Sequence, residues 1–122
     1  MKKLFGIKLL AAALILTTLS TTLMAQSRIR FARGATSTTL SGTLAAGGSR
    51  GYVIRLSEGQ TFTVNVSGGN DEISIKVSDV HGAFNEEYGY FETETDANGD
   101  HYITIRNNGR RSTRYTMTVS AY

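Results

Sequence analysis

Tyr52-Val53-Ile54-Arg55-Leu56-Ser57-Glu58-Gly59-Gln60-Thr61-Phe62-Thr63-Val64-Asn65-Val66 is two stretches of alternating sequence on either side of a breaker. Tyr52, Ile54 and Leu56 fall on one side of an extended chain, with Val53 and Arg55 on the other. After Glu58-Gly59, Phe62, Val64 and Val66 alternate with Thr61, Thr63 and Asn65. Successive side chains of a strand point to opposite faces, so each stretch has an apolar face that must be buried against another. The period recurs at Ile73, Ile75 and Val77, at Ile103 and Ile105, and at Tyr115, Met117 and Val119. No window of about 11 residues keeps a helical period, so the class is all-β.

Glycine-rich breakers separate these runs: Gly47-Gly48-Ser49, Glu58-Gly59, Gly68-Gly69-Asn70-Asp71, Asn98-Gly99 and Asn108-Gly109. Asn-Gly predicts hairpins, because both central residues of a type I′ turn need positive φ. Turns every 8 to 12 residues or so predict a single antiparallel β-sandwich, jelly-roll-like, of about seven or eight strands. Strands this short fall well below the roughly 9 to 11 residues of a membrane barrel strand. Between His81 and Asp100 the period blurs, and one strand is expected around Tyr88 to Thr93.

Residues 1–25 have the three parts of a secretory leader: basic Lys2, Lys3 and Lys8, an apolar run from Leu9 to Leu16, and Ala25 at the expected cleavage point. The apolar run falls short of the roughly 18 residues of a spanning helix. The expectation is a signal peptide over 1–25, one domain over 26–122, and a periplasmic or secreted protein that is not membrane-embedded. The chain has no cysteine, so the core carries the fold without disulfides.

The leader holds three of the thirteen basic residues, and the ten that remain balance the ten acids. Charge is nonetheless segregated along the chain: arginines come early (Arg28 to Arg55) and late (Arg106 to Arg114), and nine acids lie between Asp71 and Asp100. A nucleic-acid binder needs a net basic face and a matching motif, and neither is present.

Each chemical motif has a plainer reading. Gly47-Gly48-Ser49-Arg50-Gly51 spells a nucleophile elbow, but that element needs a helix after it and a strand follows instead; a flexible hairpin loop is expected. His81 lies in the turn Asp79-Val80-His81-Gly82, and His101 is in phase with Ile103 and Ile105 at the edge of the core. No nucleophile, base and orienter assemble, so catalysis is not expected. Without cysteine, two histidines do not make a zinc site, and no cofactor is expected. Glu94, Asp96, Asn98 and Asp100 alternate as in a calcium loop, but Ile105 stands where the bidentate glutamate belongs, and solvated acids around a turn explain the same letters. Asn65-Val66-Ser67 is a formal glycosylation sequon inside a strand, behind a bacterial-looking leader. Tyr88 and Tyr90, with Glu92, would form a sugar-stacking platform if that segment is extended, or else cover an open face of the sandwich. Arg106, Asn108, Arg110, Arg111 and Arg114 crowd the link between the last two strands. Read as a rigid hairpin tip, that link offers forked donors to a carboxylate-lined cleft on a partner; read plainly, it is solvated surface.

Ile29-Arg30-Phe31-Ala32-Arg33-Gly34-Ala35, Leu40-Ser41-Gly42-Thr43-Leu44, Tyr52-Val53-Ile54-Arg55-Leu56 and Gly59-Gln60-Thr61-Phe62-Thr63-Val64 also carry a family likeness, as do Gly99-Asp100 through Ile105 and Tyr115 through Val119. The chain resembles small exported bacterial β-sandwich proteins that include the periplasmic inhibitors of g-type lysozyme and, more distantly, the pre-peptidase C-terminal domains. The resemblance implies a protein partner, a lysozyme-like hydrolase whose cleft receives the arginine hairpin with Arg110 and Arg111 as ion-pairing groups. The alternative is a carbohydrate- or surface-binding module that uses Tyr88, Tyr90 and Glu92 on a glycan.

Overall fold

A computed structural model describes residues 26–69 and 72–122; the expected leader lies outside the described residues. Among the described residues nine strands form two sheets, one more strand than the upper expectation. They are β1 (Ser27–Ile29), β2 (Ser37–Leu44), β3 (Ser49–Leu56), β4 (Thr61–Ser67), β5 (Ile73–Ser78), β6 (Phe84–Tyr88), β7 (Tyr90–Glu94), β8 (Gly99–Asn107) and β9 (Thr113–Ala121). One sheet has the order β1-β3-β8-β5-β6 and the other β2-β9-β4-β7. All pairings are antiparallel except β1 with β3, which run parallel through Ser27, Arg28 and Ile29. The result is a β-sandwich. Among the described residues no helix is long and apolar enough to cross a membrane.

The alternating apolar residues meet between the sheets as their period requires. Phe62, Val64, Ile75, Ile103, Ile105, Met117 and Val119 are fully buried, and Phe62 meets Phe91 edge to face with ring centroids 6.3 Å apart. Burying side chains of this size stabilises a domain by about 1.5 to 3 kcal/mol each, before the entropy of ordering the chain is counted.

Two expectations need correction. The single strand around Tyr88 to Thr93 is two strands split at Gly89, whose φ of 80° turns the chain from one sheet to the other. A residue with a Cβ resists that conformation, so the glycine marks the corner. Second, the glycine-rich links are not hairpins: β5–β6 is the one link that keeps consecutive strands in the same sheet. The others, including Gly47-Gly48, Asn98-Gly99 and Asn108-Gly109, are arches that carry the chain across the core. Four or five residues separate the strands at 45–48, 57–60, 68–72, 95–98 and 108–112. Such links can step across the roughly 10 Å between packed sheets, whereas the tight type I′ hairpin uses two.

Candidate functional site

Both ends of the sandwich carry charge, in different mixtures. At one end lie the links 45–48, 68–72 and 108–112, with Arg50, Arg106, Arg110, Arg111 and Arg114 at or beside them. At the other lie the links 30–36, 57–60, 79–83 and 95–98, where Glu58, Asp79, Glu94, Asp96 and Asp100 stand alongside Arg28, Arg30 and Arg55.

Asn107 organises the arginine end. It is 1% exposed at the last position of β8. Its Nδ2 donates to the carbonyls of Leu44 (3.2 Å), Ala45 (3.3 Å) and Arg111 (2.7 Å), and its Oδ1 accepts from the Gly109 N–H (2.9 Å). Its backbone exchanges 2.9 Å hydrogen bonds with Gly47 and Gly48. One side chain therefore ties two arches together, and the link 108–112 is fixed in shape although its surface is open. Asn108 adds a second brace: its backbone N–H donates to the Glu72 carbonyl (2.9 Å), its Nδ2 to Ser74 Oγ (3.1 Å), and its Oδ1 accepts from Arg106 Nε (3.1 Å). The expected donor Asn108 is thus a strut. Gly109 packs so closely that a Cβ there would collide with the Glu72 carboxylate.

The five sequence-selected residues ring this end without converging. Arg106 lies on the outer face of the five-stranded sheet, since its neighbours Ile105 and Asn107 point inward. Arg114 lies on the outer face of the four-stranded sheet opposite Thr43, beside an open groove floored by Ser41, Ser67 and Thr116. Arg110 and Arg111 stand between them on the arch, lining a groove with Gly69, Glu72 and Ser112. The link that was expected to be a hairpin tip joins different sheets, so it does not project as a ribbon; it forms a blunt cationic rim. Among the described residues the one ion pair is Arg28 with Asp100, so the rim arginines carry no carboxylate partner there.

Arg50 belongs to the same end, and the sequence reading did not select it. It faces the core side of β3 opposite Ile105, and its Nη1 donates to Tyr115 Oη at 3.2 Å. Tyr115 Oη in turn lies 2.8 Å from the buried Tyr52 Oη. Burial, reinforced by the bond to Tyr115, pushes the Tyr52 hydroxyl up to about 12, while Tyr115 beside Arg50 favours the charged guanidinium. Gly42 makes room for this stack, because a Cβ there would lie 2.7 Å from Tyr115 Oη and 2.8 Å from Arg50 Nη1. The available signal was the phase of Arg50 with Tyr52, which puts a charge on the apolar face.

The other sequence candidates are dispersed. Tyr88 and Tyr90 are 59% and 48% exposed, but they flank the Gly89 corner. Tyr88, opposite Ser74, lies on the outer face of one sheet, and Tyr90, opposite Asn65, on the outer face of the other, so they do not form one platform. Tyr90 and Glu92 do stay together, with a 2.9 Å bond from Tyr90 Oη to Glu92 Oε1 that raises the Tyr90 hydroxyl above its ordinary value. The four residues of the calcium-like run separate. Asp100 is held by both terminal nitrogens of Arg28 (3.1 and 2.9 Å), which lowers its carboxyl below the usual range. Asn98 Oδ1 accepts the Glu58 N–H at 2.7 Å, while Glu94 ends β7 and Asp96 lies in the next link. Among the described residues no three acidic, histidine or cysteine side chains group to hold a metal ion.

No protein-family profile and no curated protein matches this chain. Solved structures do share its fold. The periplasmic lysozyme inhibitor of g-type lysozyme from Aeromonas hydrophila superposes with a TM-score of 0.66 at 21% identity, covering 80% of this chain and 96% of that one. The Salmonella Typhimurium inhibitor of the same kind gives 0.61 at 14% identity, covering 80% and 99%. The pre-peptidase C-terminal domain of a Bacillus anthracis collagenase gives 0.55 at 14% identity, covering 80% and 95%.

Proposed function

We propose that this chain is an exported binding protein that inhibits a cell-wall hydrolase, most directly a g-type lysozyme, by seating its arginine-bearing end in the enzyme's carboxylate-lined cleft. The observation that carries the reading is the link 108–112: a rim of arginines without carboxylate partners among the described residues, on an arch held by the buried Asn107. A preorganised cationic surface loses little entropy on docking, and guanidinium forks pair well with carboxylates. The fold shared with two inhibitors of g-type lysozyme supports the same partner class. In this reading Arg110 and Arg111 make the ion pairs, Arg106 and Arg114 flank them, and no chemistry is performed. Periplasmic or extracellular residence after cleavage at Ala25 accompanies it.

The test is titration of the purified protein into a g-type lysozyme assay, with c-type and i-type lysozymes as controls. Stoichiometric, selective loss of g-type activity is the expected result, weakening with added salt as the arginine rim is screened. Full g-type activity at a several-fold excess of the protein would refute the proposal. The glycan-binding alternative lost its two-tyrosine platform at Gly89 and keeps Tyr90 with Glu92 alone.

A further inference from the structure

The end of the sandwich opposite the link 108–112 holds a cavity of about 130 Å³ between the two sheets. Its floor is apolar, made by Val77 and Phe91, each 5% exposed. Its remaining wall includes His101, Asp79, Glu94 and Asp96, and no lysine or arginine lines it.

His101 is the informative residue. It is 3% exposed on the inner face of β8, in phase with Ile103 and Ile105. Its Nδ1 is 3.1 Å from the Gly99 carbonyl oxygen. A carbonyl only accepts, so Nδ1 carries the hydrogen; in the corresponding tautomer of the uncharged imidazole, Nε2 is the acceptor. Nε2 has no protein partner among the described residues, and every fully buried side-chain polar atom there has one, so Nε2 opens on the cavity.

Asp79 is arranged similarly. The β5–β8 register sets Ser78 opposite Tyr102, and one step further brings Asp79 level with His101. Its Oδ1 accepts the N–H groups of His81 (2.8 Å) and Ala83 (3.0 Å), which fixes the carboxylate and leaves Oδ2 unengaged among the described residues.

We propose that this cavity binds a primary alkyl ammonium group. Two of its N–H donors meet His101 Nε2 and the Asp79 carboxylate, the exposed Asp96 adds negative charge at the mouth, and its stem lies on Val77 and Phe91. An anionic wall without a basic side chain selects a cation. A metal ion is disfavoured because no three of these groups close around one point. An ammonium is held by two acceptors, with water on its third N–H, and a cavity equivalent to about four water volumes admits a stem of only a few carbons on the apolar floor.

Titration of the protein with n-butylammonium, followed by the ¹⁵N shift of His101 Nε2, tests this. A saturable shift is expected, with n-butanol, the uncharged analogue, giving none. Asp96→Asn, an isosteric change that removes one charge at an exposed position, should weaken binding about threefold. Glu86→Gln, on the outer face of β6, should leave it unchanged. The amine could belong to a free small molecule or to a lysine side chain, and Nα-acetyl-lysine methylamide distinguishes them: a shift with both probes places a lysine side chain within reach, and a shift with butylammonium alone restricts the site to free amines. Equal shifts from butanol, weakening of equal size in Glu86→Gln, or an unmoved Nε2 at saturating amine would each overturn the proposal. Because the cavity is remote from the arginine rim, lysozyme inhibition should be the same with and without the amine.

Discussion

The two ends of this sandwich are built from similar arches and use their buried polar side chains differently. At the arginine end a buried polar side chain, Asn107, spends its amide on backbone groups of two arches, and the charges outside it are free of carboxylate partners among the described residues. At the opposite end a buried polar side chain, His101, uses one ring nitrogen on its own link and turns the other to a cavity. Both residues sit in β8 on its core-facing side, six positions apart. Buried polarity that is fully consumed makes a rigid display; buried polarity left half-used makes a receptor.

The sharpest way to break this contrast is at Asn107. Asn107→Ala strands the carbonyls of Leu44, Ala45 and Arg111 and the Gly109 N–H together, so a stability loss of about 3 kcal/mol is expected in urea denaturation. If the variant unfolds at the wild-type midpoint, the arch is not held as described. Next in size is the double change Arg110→Ala and Arg111→Ala. Inhibition should weaken by about 2 kcal/mol or more, roughly thirtyfold, while the urea midpoint stays put, because both side chains are exposed and support nothing. Equal loss of inhibition and stability would mean that these arginines hold the rim together rather than meet a partner.

How far the sequence carries a reader differs between levels for a physical reason. Burial was legible: Phe62, Val64, Ile75, Ile103, Met117 and Val119 all face inward as their phase demands. Connectivity was not, because an arch and a hairpin impose the same alternation on the strands they join; Asn108-Gly109 reads as a hairpin although β8 and β9 lie in different sheets. The site suffered in proportion. The arginines could be selected by composition, but nothing local marks Asn107 as a brace, and Arg50 finds its partner Tyr115 65 residues away. Gly89 is the instructive failure, since one positive-φ residue sends two adjacent tyrosines to opposite faces.

A third prediction sharpens the arginine end by pH. Tyr52, pushed up to about 12 by burial and by its bond to Tyr115, is neutral in the folded protein while the unfolded chain ionises near pH 10. Its contribution is complete below pH 10 and is lost as pH rises through 12, because over that interval the folded state holds the proton and the unfolded state does not. Denaturation midpoints should therefore fall across this window by an amount worth roughly 2 kcal/mol, and Tyr52→Phe should flatten the fall. A slope unchanged in that variant would place the titrating group elsewhere.

The smallest effect belongs to the opposite end. Asp100 is held below the ordinary carboxylate range by the Arg28 guanidinium, so the pair's contribution is present above that range and disappears as pH falls through the depressed value. Both side chains are about one-third exposed, which leaves the pair well screened and its global effect slight. The consequence is local, because β1 is three residues long and joins the sheet along a single parallel neighbour. In Asp100→Asn, amide hydrogen exchange at Arg28 and Ile29 should quicken while the thermal midpoint barely moves; the same quickening should appear in the wild type under acid. If β1 exchanges in the variant at the wild-type rate, the ion pair does not hold the strand, and its attachment rests on the burial of Ile29 against the core.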